Sequence, residues 1–337
     1  MKGLFAGCVV SVLVCAATAA DSPAPVRVSF LDSEPVLRDT VRLLRAAGCD
    51  ANNLERFARA VREYNSSPCP VDRSRFPPAT NGLHSFASPA DFVAALPGHF
   101  SQIDRPFGMN CMLTVALIAG SQMTVRPDAR SLPGPFLAAA TRVDGQPWLA
   151  PVVSLDDAWA VTYHTEYFAS VTNIVGADFS ERHGPLVASI HSFHALPVAT
   201  NEKQLPLNLM AALSNDWARV GLTFPKGLKL VLLHRATLVF PAAVTDHAGL
   251  LVPRDCGVTY LEKAGGRGPF IRMDLVREDD VSLYHRATLQ RWPDNLYSHS
   301  FVTLNGESIH RVTDPAPADP GTESTEAAED EVQDADK

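Results

Sequence analysis

After its first twenty residues the chain has no long apolar run, so nothing further along is built to span a bilayer as a helix. No basic stripe and no recognition motif is present, which removes the electrostatic footprint of a nucleic-acid binder. Acidity is confined to one place. Asp314 to Lys337 holds nine acids against one lysine, which is the whole formal charge of −8, and the remainder is near neutral. No serine sits in a Gly-x-Ser-x-Gly elbow. Gly265-Gly-Arg-Gly268 lacks phosphate-loop spacing and reads as a turn. His191-Ser-Phe-His194 has a helical ligand spacing with His183 nearby, yet no third ligand completes a zinc pattern. Neither a metal nor a cofactor is expected. Cysteine is sparse, six in 337 residues.

What is present describes a globular protein. A hydrophobic share of 46% beside a charged share of 20% is ordinary, and 337 residues suffice for one large core or two smaller ones. Residues 1–20 read as a secretory signal: Lys2, an apolar run from Leu4 to Ala16, then the small residues Ala17-Thr-Ala-Ala20. The expected location is the periplasm or the exterior. A lipoprotein anchored at Cys15 is the alternative, disfavoured by Val14 before it. From Pro315 onward the composition of Pro, Ala, Glu and Asp cannot offset ordering entropy, so 313–337 is expected to be a disordered tail. Between these lie a helical region, 21–100, and an α+β core, 101–312.

Val26 to Phe30 alternates as a strand. Leu37, Val41 and Leu44 place a helix on Glu34 to Ala47, ended by Gly48. Asp50 caps a second helix, with Leu54, Phe57, Ala58, Val61 and Tyr64 facing the core, which makes a helical hairpin. Ser88-Pro-Ala-Asp91 starts a short helix. Met123-Thr-Val-Arg has the character of a strand. Residues 155–175 are mixed and aromatic. Leu186 to Ile190 and Leu209 to Leu213 are buried helix pieces. Apolar, β-branched runs follow at Leu228 to Leu233, Thr237 to Phe240, His247 to Val252 and Val258 to Leu261. Helices first and strands later predict an α+β fold with an antiparallel sheet.

The central stretch is Arg105 to Gly120. Asn110 is a good N-cap for a helix that is apolar from Met112 to Ala119, and Gly120 is a natural stop. Cys111 then lies on the first turn, where the helix dipole and unpaired N–H groups favour a thiolate over a thiol. Such a cysteine is also often a small buried hydrophobe. Past the signal four cysteines remain, Cys49, Cys69, Cys111 and Cys256, and three full pairings are open. A Cys111–Cys256 bond would exclude catalysis.

A thiolate nucleophile needs a base, and the base an orienting group. His247 is the best base. Folding its strand back about residue 255 brings it opposite Glu262 or Lys263, and Glu262 is the orienting candidate. Asp246 is weaker, since adjacent strand residues point to opposite faces. The backbone N–H of Cys111 is the natural oxyanion donor, with Gln102 and Asn110 as side-chain candidates. A loop glutamine and a plain cap are the simpler readings of those two.

A cysteine opening a buried helix, then far downstream a strand histidine with an acid across the hairpin, is the order found in papain-like, CHAP and NlpC-like hydrolases. The chain also resembles an uncharacterised family of exported bacterial proteins, a domain of unknown function. The resemblance rests on Glu63-Tyr-Asn65, Asn110-Cys111, Trp217-Ala-Arg-Val-Gly-Leu-Thr-Phe224, His247-Ala-Gly-Leu-Leu251 and Leu261-Glu-Lys263 with Gly268-Pro269. These run in order over most of 27–290. That family's central motif is Asn-Cys-Arg, and here Met112 replaces the arginine. The resemblance implies a papain-like architecture and no assigned activity.

Two functions follow as expectations. One is an exported cysteine amidase or peptidase, with Cys111 as nucleophile, His247 as base and Glu262 as its orienter, acting on a peptide amide such as cell-wall peptide. Acyl transfer would use the same residues. The other is a non-catalytic secreted binding or envelope protein, with Cys111 structural or disulfide-bonded.

Overall fold

The structure, a computed structural model, describes residues 24–313 apart from 67–70, 101–108, 130–136, 144–145, 152–175, 177, 192, 198, 239–241 and 293–298. The signal stretch, the acidic tail, Cys8, Cys15, Cys69, Gln102 and the aromatic segment 155–175 lie outside the described residues.

Helices and strands mix in one α+β assembly. The helices are α1 (Glu34–Ala46), α2 (Ala51–Asn65), α3 (Pro89–Ala95), α4 (Cys111–Ala119), α5 (Phe179–Ile190), α6 (Leu205–Val220) and α7 (Asp280–Arg291). The strands are β1 (Val26–Ser29), β2 (His84–Phe86), β3 (Leu137–Val143), β4 (Gln146–Pro151), β5 (Phe193–Ala195), β6 (Lys229–Thr237), β7 (Ala242–Pro253), β8 (Val258–Lys263), β9 (Phe270–Leu275), β10 (His299–Leu304) and β11 (Ser308–Thr313). They form one sheet whose main path is β11-β10-β6-β7-β8-β9-β1-β2, with β5 joining β7 and β3. The pairings among these strands are antiparallel. Because β1 and β2 complete the β9 edge, the N-terminal hundred residues are not helical alone. They share the sheet of the later chain.

The sheet is covered on both faces, and strand alternation assigns each residue to its side. In β6, Leu230 and Leu232 face a core built with α1, α2, α4, α5 and α6, while Val231 and Leu233 face a second core with α3 and α7. That double burial explains why these strands read as continuous apolar runs rather than alternating ones.

Helix α4 is the centre of the first core, with all nine residues buried. Asn110 caps it, its Oδ1 accepting from Leu113 N at 2.9 Å. Gly120 ends the α-helix as its C-cap, with φ −60° rather than a left-handed conformation, and opens a 3-10 turn, Gly120–Gln122. The glycine also serves close approach: a Cβ there would lie 2.7 Å from the His183 ring. Met123-Thr-Val does not become a strand, since Thr124 makes only an isolated bridge with Thr223.

Candidate functional site

The site forms where β7 changes partner. Strand β6 runs along one edge of β7 from Ala242 to Leu251. On the other edge β5 pairs as far as Val244, and β8 begins at Gly249. Residues 245–248 lie in that gap, and α4 packs across β7 and β8 beside it. The ladder to β6 is also irregular there. Leu233 faces His247 but His234 faces Thr245, so Asp246 is an extra residue, a β-bulge.

The bulge overturns the expectation that Asp246 points away from His247. Both residues line the same cavity, and Asp246 is tied to Arg235 at 2.6 Å. The hairpin register also differs from a fold about residue 255. Gly249, not His247, stands opposite Glu262. His247 is two residues earlier on the same face, so it meets Glu262 diagonally, a distance that a ring and a carboxylate can span. Their atoms touch: His247 Nε2 lies 2.7 Å from Glu262 Oε2.

Glu262 is almost fully buried and collects three donors. Oε2 accepts from His247 Nε2 and from the Tyr260 hydroxyl at 2.9 Å, and Oε1 accepts from the Tyr284 hydroxyl at 2.6 Å. Burial would raise its pKa, but the charge and hydrogen bond of His247 lead the opposing effects and hold it at about 2. It is therefore a carboxylate and can only accept, so His247 Nε2 carries a proton. The other ring nitrogen, Nδ1, remains for Cys111, which hydrogen-bonds the imidazole. Burial works against a charged His247. The neighbouring Cys111 and Glu262, with their hydrogen bonds, more than offset it and lift its pKa well above 6.5.

The structure thus brings Cys111, His247 and Glu262 together in one hydrogen-bonded line. Cys111 is a free, buried cysteine. Asn110 serves as the helix cap and adjoins the line through Cys111. The other histidines are elsewhere. His194 lies in β5 and bonds Asp216 at 2.7 Å, while α5 ends before His191, so the pair does not share a helix face.

Sequence reasoning missed three members of the site. Tyr260 reaches Glu262 from two residues upstream in the same strand. Tyr284 and His285 come from α7, whose Val281, Tyr284, His285 and Leu289 repeat at i, i+3, i+4 and i+8, a helical signature that was there to read. Tyr260 has one hydroxyl proton and gives it to Glu262. His285 Nε2, 3.1 Å away, must then donate to that oxygen. Burial, chiefly, holds the His285 pKa down at about 3, so this second imidazole is neutral. Both tyrosines are kept protonated by burial and by Glu262, which makes them permanent donors.

Gly249 permits this arrangement. A Cβ at 249 would fall 2.4 Å from the Tyr260 ring. Gly249→Ala should therefore destabilise the protein by about 1–3 kcal/mol through overpacking, read as a lower denaturant midpoint. It should also loosen Tyr260 from Glu262.

A cavity of about 380 Å³ opens on the His247 and Glu262 side. Leu96, Phe100, Leu233, Leu289 and Trp292 make its apolar wall, and Arg235, Arg267 and His285 its polar one. Cys111, 5% exposed, is not among the described lining residues, whereas His247 is. Compared with known protein families, curated proteins and solved structures, the chain shows no significant match.

Proposed function

We propose that this chain is an exported cysteine hydrolase of papain-like construction, acting on an amide, with peptide or cell-wall peptide as the first substrate class to try. The observation that carries the reading is the line Cys111–His247–Glu262, with the Nε2 proton fixed on a buried carboxylate. Cys111 at the start of α4 attacks the carbonyl carbon. His247 protonates the leaving nitrogen through Nδ1, then takes a proton from the water that cleaves the acyl-enzyme. Glu262 fixes the tautomer and stabilises the imidazolium, and Tyr260 and Tyr284 position Glu262. The Cys111 backbone N–H is the oxyanion donor, assisted by Gln102 or by the amide end of Asn110.

One observation favours a second reading. The thiol is buried and off the cavity wall, as expected of a binding protein whose ligand meets His247 and never the sulfur. Acyl trapping separates the two. With p-nitrophenyl acetate, the hydrolase should accumulate one acetyl group on Cys111 in a burst, seen by mass spectrometry of the peptides. A folded protein that releases nitrophenol without a Cys111 adduct, or not at all, refutes the hydrolase reading.

A further inference from the structure

The second imidazole of the site, His285, has no part in the line from Cys111 to Glu262, yet its surroundings hold it closely. It is 3% exposed and sits on α7, where the helical repeat that buries Tyr284 also turns His285 toward the sheet. Three rings pack around it. Its ring centroid lies 5.1 Å from that of Tyr284, 5.8 Å from that of Tyr260 at an interplanar angle of 83°, and 5.7 Å from that of His247 at 66°. It also lines the cavity, beside His247 and Glu262.

Counting protons assigns each of its nitrogens. The Glu262 carboxylate only accepts, so the Tyr260 hydroxyl proton is committed to Oε2 at 2.9 Å. The Tyr260 oxygen must then receive, and His285 Nε2, 3.1 Å away, carries the proton. The ring is uncharged. Burial, chiefly, holds its pKa at about 3 against the pull of Glu262, with the nearby His247 and Arg235 adding to the effect. A neutral imidazole with its proton on Nε2 has a bare Nδ1, which can only accept. Among the described residues no donor meets that nitrogen, and it is not one of the fully enclosed atoms of the interior. An acceptor left unpaired in a buried ring is costly. Here the cavity is where a ligand can supply the donor.

We propose that His285 is the specificity-determining residue of this cavity, its Nδ1 accepting the N–H of a secondary amide, so that the site takes peptide amides in preference to esters and tertiary amides. This deepens the hydrolase reading, and rests on it, by naming the substrate class. An ester oxygen at the same place sets lone pairs against lone pairs, and an N-methyl group occupies the position of the proton. Either way Nδ1 loses its partner, and a polar group left unpaired is what lets a site reject an analogue. The apolar body of the substrate lies against Leu233, Leu289 and Trp292. With the His285 and His247 rings 5.7 Å apart, the anchored N–H and the scissile carbonyl belong to one dipeptide.

The test is binding, measured on the full chain carrying Cys111→Ala so that thiol chemistry plays no part. The probes are N-benzylacetamide and benzyl acetate, which have the same shape and differ in N–H against O, titrated calorimetrically. The amide should bind about tenfold more tightly than the ester or better, a difference of about 1.4 kcal/mol. Two further variants, each made in that background, separate the two nitrogens, with melting curves confirming the fold. His285→Gln places its amide near the Nε2 position, so it can still donate to Tyr260 but has no acceptor at Nδ1. It should bring the amide down to the ester. His285→Asn places its amide near the Nδ1 position and gives up the Tyr260 contact. It should keep most of the preference, an outcome that a merely structural role for the ring does not produce. Equal affinity for amide and ester overturns the proposal, as does no saturable binding of the amide at millimolar concentration, or an amide preference that survives His285→Gln. If the preference is found but wild-type Cys111 never acylates, the His285 subsite stands and the hydrolase reading falls.

Discussion

Glu262→Ala should cost about 3–5 kcal/mol of stability, the largest expected effect of any single change in the site. The carboxylate is buried and accepts from His247, Tyr260 and Tyr284. Its removal strands a partly buried imidazolium and two buried hydroxyls at once, and each unpaired group bears its desolvation cost. Glu262→Gln keeps an acceptor oxygen but loses the charge, so it should fall between the wild type and alanine. The same pair dictates a pH signature. Glu262 has a folded pKa of about 2 against an ordinary 4.5, so its contribution is complete above 4.5 and is lost as pH falls through about 2. His247 has a folded pKa above its ordinary 6.5, so its contribution is complete below 6.5 and is lost as pH rises through the folded value. Stability from this pair should plateau between about pH 4.5 and 6.5 and decline on both sides. In Glu262→Gln the acid-side decline attributable to the pair should vanish. Urea midpoints from about pH 2 to well above 6.5, compared between wild type and Glu262→Gln, check it. Identical profiles would mean that the pair is uncoupled in solution.

His247→Ala should lower kcat on any amide that the protein cleaves by about 10²–10⁴-fold, the range for removing a positioned acid–base group. KM should change little, because the apolar wall of the cavity is untouched. Tyr284→Phe should act differently. It removes one donor to Glu262 and leaves the Nε2 contact intact, so the loss in kcat should be smaller and the pH–rate profile should shift. A His247→Ala enzyme that keeps wild-type kcat would take the imidazole out of the chemistry.

Much of this site is legible in the sequence because its signals are local. Asn110 before an unbroken apolar run marks the start of α4, and the structure puts the cap bond where the residue type requires it. The helical hairpin of α1 and α2 follows from spacing alone. The pairing of His247 with Glu262 is foreseen from the turn between β7 and β8, though the register is not. The loop closes from Pro253 to Val258, which sets Gly249 rather than His247 against Glu262. What the sequence hides is tertiary. Nothing local announces that Asp246 is a bulge, since that depends on how β6 pairs with β7. Nothing local announces the burial of Lys263 either, which three carbonyls and two aromatic rings enclose. Tyr284 and His285 reach the site from a helix whose role depends on packing against the sheet's second face.

The most direct measurement is the alkylation rate of each cysteine by iodoacetamide as a function of pH, in the wild type and in His247→Ala. Cys49 is an internal reference, because burial pushes its pKa up to about 11 and it should stay unlabelled below that. A Cys111 paired with the His247 imidazolium should label at pH values well below the ordinary thiol pKa of about 8.5, and that reactivity should disappear or move upward in His247→Ala. Cys111 labelling that rises only near the ordinary thiol range, identical in the variant, or that waits until Cys49 also labels, would contradict the account. The thiol would then be a structural member of the core.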